Sequence, residues 1–415
     1  MTNRKITTFK QAYMSSISPR DRSLDDDSGF DDSGLGTQRR IGDEMNLSRL
    51  ILFGAVSYLQ GKGCKKPLCP IPVMPAVMSS ARVARGASAR APARAPGRQS
   101  SRCSPLSRSR VYASSETVTD DSLAALNIKY AIPGSVEFVE GREGLPAVKL
   151  THACGASAEV YLFGGCVMSW KQATGDEVLY VRPDAKFDKS KPISGGMPHC
   201  FPQFGPGEMQ QHGFARNLDW EVSSTSADVN PDDKDPCVEI TLRDNEYTRA
   251  MWDHAFELHY SITLHGEELQ TEYRVINTGD KPFSFQAALH SYFEVVNIKL
   301  AAVEGLGGMK YLDKVADAEN PPTKEMPNGT LTFAGPVDSV FENSPSEVSL
   351  LVGNGAGIAL QQTGFTDTIV WTPWEDMPDC YESFCCVENA KAVKPVTLDP
   401  NDTWNATTRF AVYTA

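Results

Sequence analysis

The 415-residue chain has no apolar stretch near the ~20 residues that a membrane-spanning helix requires; its N-terminal run Leu50-Ile51-Leu52-Phe53-Gly54-Ala55-Val56 falls far short. An integral membrane helix is therefore not expected. The ten cysteines are irregularly spaced, with Cys385 and Cys386 adjacent, and they form no CxxC pair. No Cys/His spacing would build a zinc centre, and no disulfide framework is visible. Reduced, mostly structural thiols are the expectation. A nucleotide-binding motif is also missing, so neither metal nor cofactor is expected. Apolar positions nowhere repeat with a 3.6 period over three turns, which sets helical bundles aside. Residues 1–115 hold 19 Lys+Arg against 8 Asp+Glu; with a whole-chain net of −12, the remaining 300 residues carry −23. That acidity argues against nucleic acid or anionic membrane as a partner, since both need a positive face. A phosphorylated small molecule is still open, because one or two local arginines suffice to hold it.

The basic N-terminal part divides in two. Residues 1–77 read as a disordered extension, polar and acidic in SLDDDSGFDDSG, with too little apolar surface to offset ordering entropy. Residues 78–115 are rich in Ser, Ala and Arg and contain no acidic residue, the composition of a transit peptide. Val111-Tyr112-Ala113 followed by serine reads as a processing site, and Met78 as a natural start. The arginine-rich, proline-containing pattern fits a plastid (the chloroplast stroma) better than a secretory route, with mitochondrial import as the runner-up.

From about Asn127 the pattern changes to short alternating or apolar runs separated by turn formers. Ser135–Glu140, Glu159–Trp170, Phe256–Leu264, Leu269–Asn277 and Phe283–Val296 are examples. His265-Gly266-Glu267-Glu268 and Asn277-Thr278-Gly279-Asp280 read as hairpin turns. More than a dozen strands over residues 127–415 imply one all-β domain, a large antiparallel sandwich.

Chemistry-bearing side chains concentrate in Lys191–Trp220, KPISGGMPHCFPQFGPGEMQQHGFARNLDW, where turn formers sit beside amides, histidines and an arginine. Further on, in Ala288-Leu289-His290-Ser291-Tyr292-Phe293, strand alternation places His290 on a face with Ala288 and Tyr292, opposite Leu289 and Phe293. Glu388 follows Cys386-Val387. A histidine near its ordinary pKa of about 6.5 serves as an acid, and a carboxylate raised by partial burial serves as a base. Taken by itself, each residue is as readily structural.

The combination resembles the hexose-6-phosphate mutarotases of the aldose 1-epimerase superfamily over nearly all of residues 130–415. The resemblance implies a galactose-mutarotase-like antiparallel β-supersandwich with a sugar site on one sheet face. It also implies interconversion of the α and β anomers of a hexose phosphate such as glucose 6-phosphate, without a cofactor. His290 is the implied general acid and Glu388 the implied general base. Gln211, His212 and Arg216 of QHGFAR are implied substrate contacts, and Asp338 in Val337-Asp338-Ser339-Val340-Phe341 another, with Asp313 its competitor. Trp371 and Trp374 are candidates to stack on sugar or to pack the core, and His152, His199, His254, His259 and His265 read as structural. One departure stands out: Ser194 of KPISGG occupies the place of an arginine that holds phosphate. Arg182, or Lys189 and Lys191, are the candidates to compensate. The alternatives are a mutarotase of a free or differently phosphorylated aldose, or a non-catalytic protein on this fold. The latter would be a carbohydrate-binding module or a subunit of the thylakoid NADH-dehydrogenase-like complex.

Overall fold

A computed structural model describes residues 122–228 and 234–415; the extension and the transit peptide expected over 1–77 and 78–115 lie outside the described residues. A two-turn helix, α1 (Leu123–Tyr130), is capped by the Ser122 hydroxyl on the Ala125 N–H. The first strands are β1 (Val136–Glu140), β2 (Pro146–Thr151), β3 (Ser157–Tyr161), β4 (Cys166–Lys171), β5 (His199–Cys200), β6 (Glu221–Ser226) and β7 (Cys237–Arg243). A short helix, α2 (Glu246–Met251), precedes β8 (Phe256–His265), β9 (Glu268–Asn277), β10 (Phe283–Leu289), β11 (Tyr292–Glu294), β12 (Ala302–Glu304), β13 (Lys310–Asp313) and β14 (Thr323–Glu325). The remainder are β15 (Leu331–Thr332), β16 (Val337–Phe341), β17 (Glu347–Leu351), β18 (Ala356–Thr363), β19 (Asp367–Thr372), β20 (Phe384–Leu398) and β21 (Thr403–Thr414).

Three antiparallel sheets result. One runs β1-β2-β3-β4, one β14-β13-β16-β19-β20-β10-β5 with β11 also on β20, and one β15-β12-β17-β18-β21-β9-β8-β7-β6. The all-β sandwich expected from the alternation is what forms. In β8 the pattern is explicit: Phe256, Leu258, Tyr260, Ile262 and Leu264 are buried, and the residues between them are half-buried. They share one core with Val275 and Phe410 of the nine-stranded sheet and with Leu289, Val370 and Val387 of the eight-stranded sheet. Each such side chain contributes about 1.5–3 kcal/mol by leaving water.

Period-two alternation then dictates what the opposite face of the eight-stranded sheet presents. Ala288, Ile369 and Ala390 form a separate small cluster there, flanked by one containing Tyr292 and Cys386. This is the face on which His290 and Glu388 emerge.

Three sequence expectations need correction. Glu159–Trp170 is a hairpin rather than one strand, because Gly164 and Gly165 both take positive φ (78° and 58°) between β3 and β4. Asn277–Asp280 closes no hairpin: it carries the chain from β9 in one sheet to β10 in another. The Asn277 side chain fixes this crossover by donating to the Lys281 and Leu398 carbonyls and accepting from the Gly279 N–H. Phe283–Val296 is likewise two strands, broken at His290-Ser291. By contrast, His265–Glu268 is the β8–β9 hairpin turn, with Gly266 at φ 59°.

The QHGFAR loop depends on a single glycine. Gly213 has φ 70°, and a Cβ there would stand 2.1 Å from the Phe201 carbonyl oxygen. Phe201 cannot withdraw, since its N–H donates to His212 and its carbonyl accepts from Phe214. Gly213→Ala should therefore cost about 2–4 kcal/mol, combining left-handed strain with overpacking. Urea unfolding measures this, and a loss below ~0.5 kcal/mol would show that the loop yields freely.

Candidate active site

The register of the eight-stranded sheet brings His290 and Glu388 together. Leu289 pairs with Asn389 and Tyr292 with Cys386, so the two residues of the break between β10 and β11 lie opposite Val387 and Glu388 on β20. His290 Nδ1 is 3.3 Å from Glu388 Oε1, without hydrogen-bond geometry, and Nδ1 and Glu388 Oε2 are both buried with no hydrogen-bond partner. Buried polar atoms are normally satisfied, so these two are available to a ligand. The break serves this placement. His290 donates its backbone N–H to Pro198, and Tyr292 donates to Gly196, which ties the strand to the Gly-Gly turn. The imidazole stacks on the Tyr292 ring (4.8 Å, 12°) and meets His212 and Trp371 edge-on at 5.6 and 5.8 Å. Trp371 is thus part of this cluster, whereas Trp374 packs on Tyr381.

The loop around Gly213 supplies polar groups beside the pair. His212 Nδ1 accepts the Gly205 backbone N–H at 3.1 Å and lies 3.1 Å from the Cys200 sulfur. Its Nε2 is 3.4 Å from the Gln211 side-chain amide. Arg216 Nη2 donates to the Gln211 carbonyl at 2.9 Å, and its buried Nε–H has no partner among the described residues. Asp338 of β16 lies beside Trp371 of β19. Lys314 Nζ approaches the Asp338 carboxylate to 3.9 Å.

The matching family model is that of aldose 1-epimerase, over residues 146–411. The chain belongs to the aldose 1-epimerase family. It is 36% identical over 283 residues to a Cenchrus ciliaris protein named as a candidate glucose-6-phosphate 1-epimerase, covering 65% of this chain and 85% of that one. An Escherichia coli protein of the same name is 32% identical over 250 residues, covering 57% and 80% respectively. Among solved structures, a candidate mutarotase of Salmonella typhimurium superposes with a TM-score of 0.62 at 26% identity, over 69% of this chain and 96% of its own. The protein is accordingly an isomerase acting on sugars, built on the galactose-mutarotase-like supersandwich.

Electrostatics of this cluster differ from the sequence expectation. Burial, reinforced by the Arg216 charge, lowers His290 to about 3, which favours a neutral imidazole over one near its ordinary value. Burial and the Asp338 charge push Glu388 well above the usual carboxylate range, against the pull of Lys314 and Arg216. His212 falls to about 2, through burial first and then the His290, Arg216 and Lys314 charges. Burial also raises the Cys386 thiol, whose Sγ lies within 4.8 Å of the ligand atoms of His290 and Glu388, and keeps it protonated.

The two shifts have opposite linkage signs. The stabilising contribution of His290 is full above its unfolded value of 6.5 and is lost as pH falls toward 3. That of Glu388 is full below 4.5 and is lost as pH rises through its raised folded value. Glu388→Gln should therefore stabilise the fold at pH 8 more than at pH 4.5. Urea midpoints at the two pH values test this; equal shifts would contradict it.

Most expected site residues lie together, with some reassignment. Asp313 holds a turn, accepting from the Val315 and Ala316 N–H groups and pairing with Lys324, which leaves Asp338 as the carboxylate near the pair. Ser194 is the backbone neighbour of Arg182, whose N–H donates to the Ser194 carbonyl at 3.0 Å. The Arg182 guanidinium chelates Asp184 at 2.9 and 2.7 Å, yet its charge is felt at Tyr292 and Cys386. Lys189 is instead committed to Asp219 at 2.7 Å, and Lys191 is exposed. His199 is buried against Trp220 and Tyr260 and donates from Nε2 to Gly165, a structural role. Lys314 escaped the sequence reading altogether. Its one signal was adjacency to Asp313, since successive strand residues face opposite ways and Asp313 points to Lys324.

Proposed function

We propose that this epimerase interconverts the α and β anomers of glucose 6-phosphate, with His290 and Glu388 as its proton-transfer pair. The observation that carries the reading is the in-register pairing of these two buried, unsatisfied side chains beside Arg216, Lys314 and Arg182. Raised Glu388 and lowered His290 together hold one proton that moves between them. With that proton on His290, Glu388 takes the anomeric hydroxyl proton as the C1–O5 bond breaks, and His290 protonates O5. Rotation about C1–C2 and the reverse transfers close the ring on the other face. No electrons or groups leave the sugar, so the reaction itself calls for no cofactor.

Gln211, His212 and Asp338 are proposed to hold the sugar hydroxyls, and Arg216 and Lys314 its anionic end. Arg182, beside Ser194, supplies the charge that serine lacks. A second reading, a free aldose as substrate, is favoured by the neutral Ser194 and by the existing Arg182–Asp184 chelate. Saturation-transfer NMR on the full chain with glucose 6-phosphate and glucose in parallel separates the two. Exchange accelerated only for the phosphate ester supports the first reading, and only for glucose the second. Folded protein that accelerates neither would remove the claim. Residues 78–115 are proposed to direct the chain to a plastid, which N-terminal sequencing of organelle-purified protein tests.

A further inference from the structure

We propose that Cys154 is a nucleophilic thiol site for exchange with low-molecular-weight disulfides, activated by a Cys154–His152–Asp235 triad separate from the sugar site. Among the described cysteines, Cys166, Cys200, Cys380, Cys385 and Cys386 are buried and Cys237 is half-buried, while Cys154 is exposed. It sits in the β2–β3 turn, held by the His152 N–H on the Ala156 carbonyl (2.9 Å) and the Gly155 N–H on the His152 carbonyl (3.0 Å).

The triad geometry is specific. Cys154 Sγ is 3.0 Å from His152 Nδ1, and the Cys154 backbone N–H donates to the same nitrogen at 3.1 Å. Nδ1 therefore carries the ring's lone pair, shared between the Cys154 backbone N–H and the thiol, and the ring proton belongs on Nε2. That nitrogen lies 3.3 Å from Asp235 Oδ1, an ion-pair contact rather than a hydrogen bond. The other oxygen of Asp235 is 2.5 Å from His265 Nδ1, at the end of β8. His152 is buried whereas Cys154 is open, so the base is sheltered and the nucleophile accessible. A thiol beside a base, with a carboxylate behind that base, is the arrangement that activates a thiol. It draws on three loops: the β2–β3 turn, the approach to β7 and the β8–β9 turn. None of these contributes a residue to the sugar site, so the inference stands or falls independently of the mutarotase reading.

The step balances without an external catalyst. Cys154 sulfur attacks one sulfur of a disulfide R–S–S–R while the thiol proton passes to His152 Nδ1, and Asp235 stabilises the imidazolium. The S–S bond breaks with its electron pair on the departing sulfur, which takes the proton from His152 and leaves as R–SH. Cys154 is oxidised to a mixed disulfide and one R–S group is reduced.

Glutathione disulfide, added to the full chain and followed by peptide mass mapping, tests this. Cys154 should react about tenfold faster in the native chain than in the urea-unfolded chain, and ahead of Cys237. His152→Gln should erase that advantage, and Asp235→Asn should reduce it severalfold, with urea transitions recorded to show that each variant folds. A native rate no greater than the unfolded rate overturns the proposal, as does an advantage that survives in folded His152→Gln. Should His152→Gln fail to fold, Asp235→Asn and the native-to-unfolded ratio still decide.

Discussion

Glu388→Gln should lower the rate of anomer exchange by about 10²–10⁴-fold while leaving the fold intact or more stable. Glutamine keeps the shape of the side chain and removes only its capacity to take a proton. The carboxyl is buried, raised by desolvation, and opposite His290 in the sheet register, so no neighbouring group replaces it. His290→Ala should produce a loss of similar size, because its imidazole is the partner 3.3 Å away. The double variant should be little slower than either single one, since a shared proton cannot be used by half a pair. Saturation-transfer NMR measures all three rates. An additive double variant, or a Glu388→Gln enzyme retaining more than a tenth of the rate, would mean that the two residues do not act as a unit.

Arg216→Ala should raise KM for a hexose phosphate about 10–100-fold, corresponding to about 1.5–3 kcal/mol for a lost charge-assisted contact. The guanidinium is anchored through Nη2 to the Gln211 carbonyl, and its buried Nε–H has no partner among the described residues. That leaves donor capacity for a ligand. Lysine at this position should recover little, because a point charge cannot reproduce the planar fork. The same variant removes a cation that depresses His290, so its kcat profile should also move: the acid limb should shift toward higher pH. A KM unchanged for both glucose and glucose 6-phosphate would place Arg216 outside the binding site. Ser194→Arg offers the reciprocal measurement. It should tighten phosphate-ester binding if Arg182 is held by Asp184, and change little if Arg182 already reaches the phosphate.

Several features of the fold were legible because they are local. Alternation in Phe256–Leu264 and Leu269–Asn277 marks strands directly, and it correctly set His290 with Ala288 and Tyr292 against Leu289 and Phe293. The two departures differ in kind: Gly164-Gly165 folds Glu159–Trp170 back within one sheet, whereas Asn277–Asp280 joins strands of different sheets. A turn looks the same in sequence whether it closes a hairpin or crosses between layers.

By itself, then, the sequence determined the all-β class, the motif residues His290, Glu388 and Arg216, and the one departure at Ser194. Only the tertiary structure decided which of those residues meet and in what environment. Register joined positions 290 and 388 across two strands, and burial in that setting drove one pKa down and the other up. Folding also put Lys314 beside Asp338, Arg182 beside Ser194, and Asp235 behind the His152 that faces Cys154. Side-chain identity is written along the chain, but distance and dielectric arise from non-local pairing, and proton affinity depends on both.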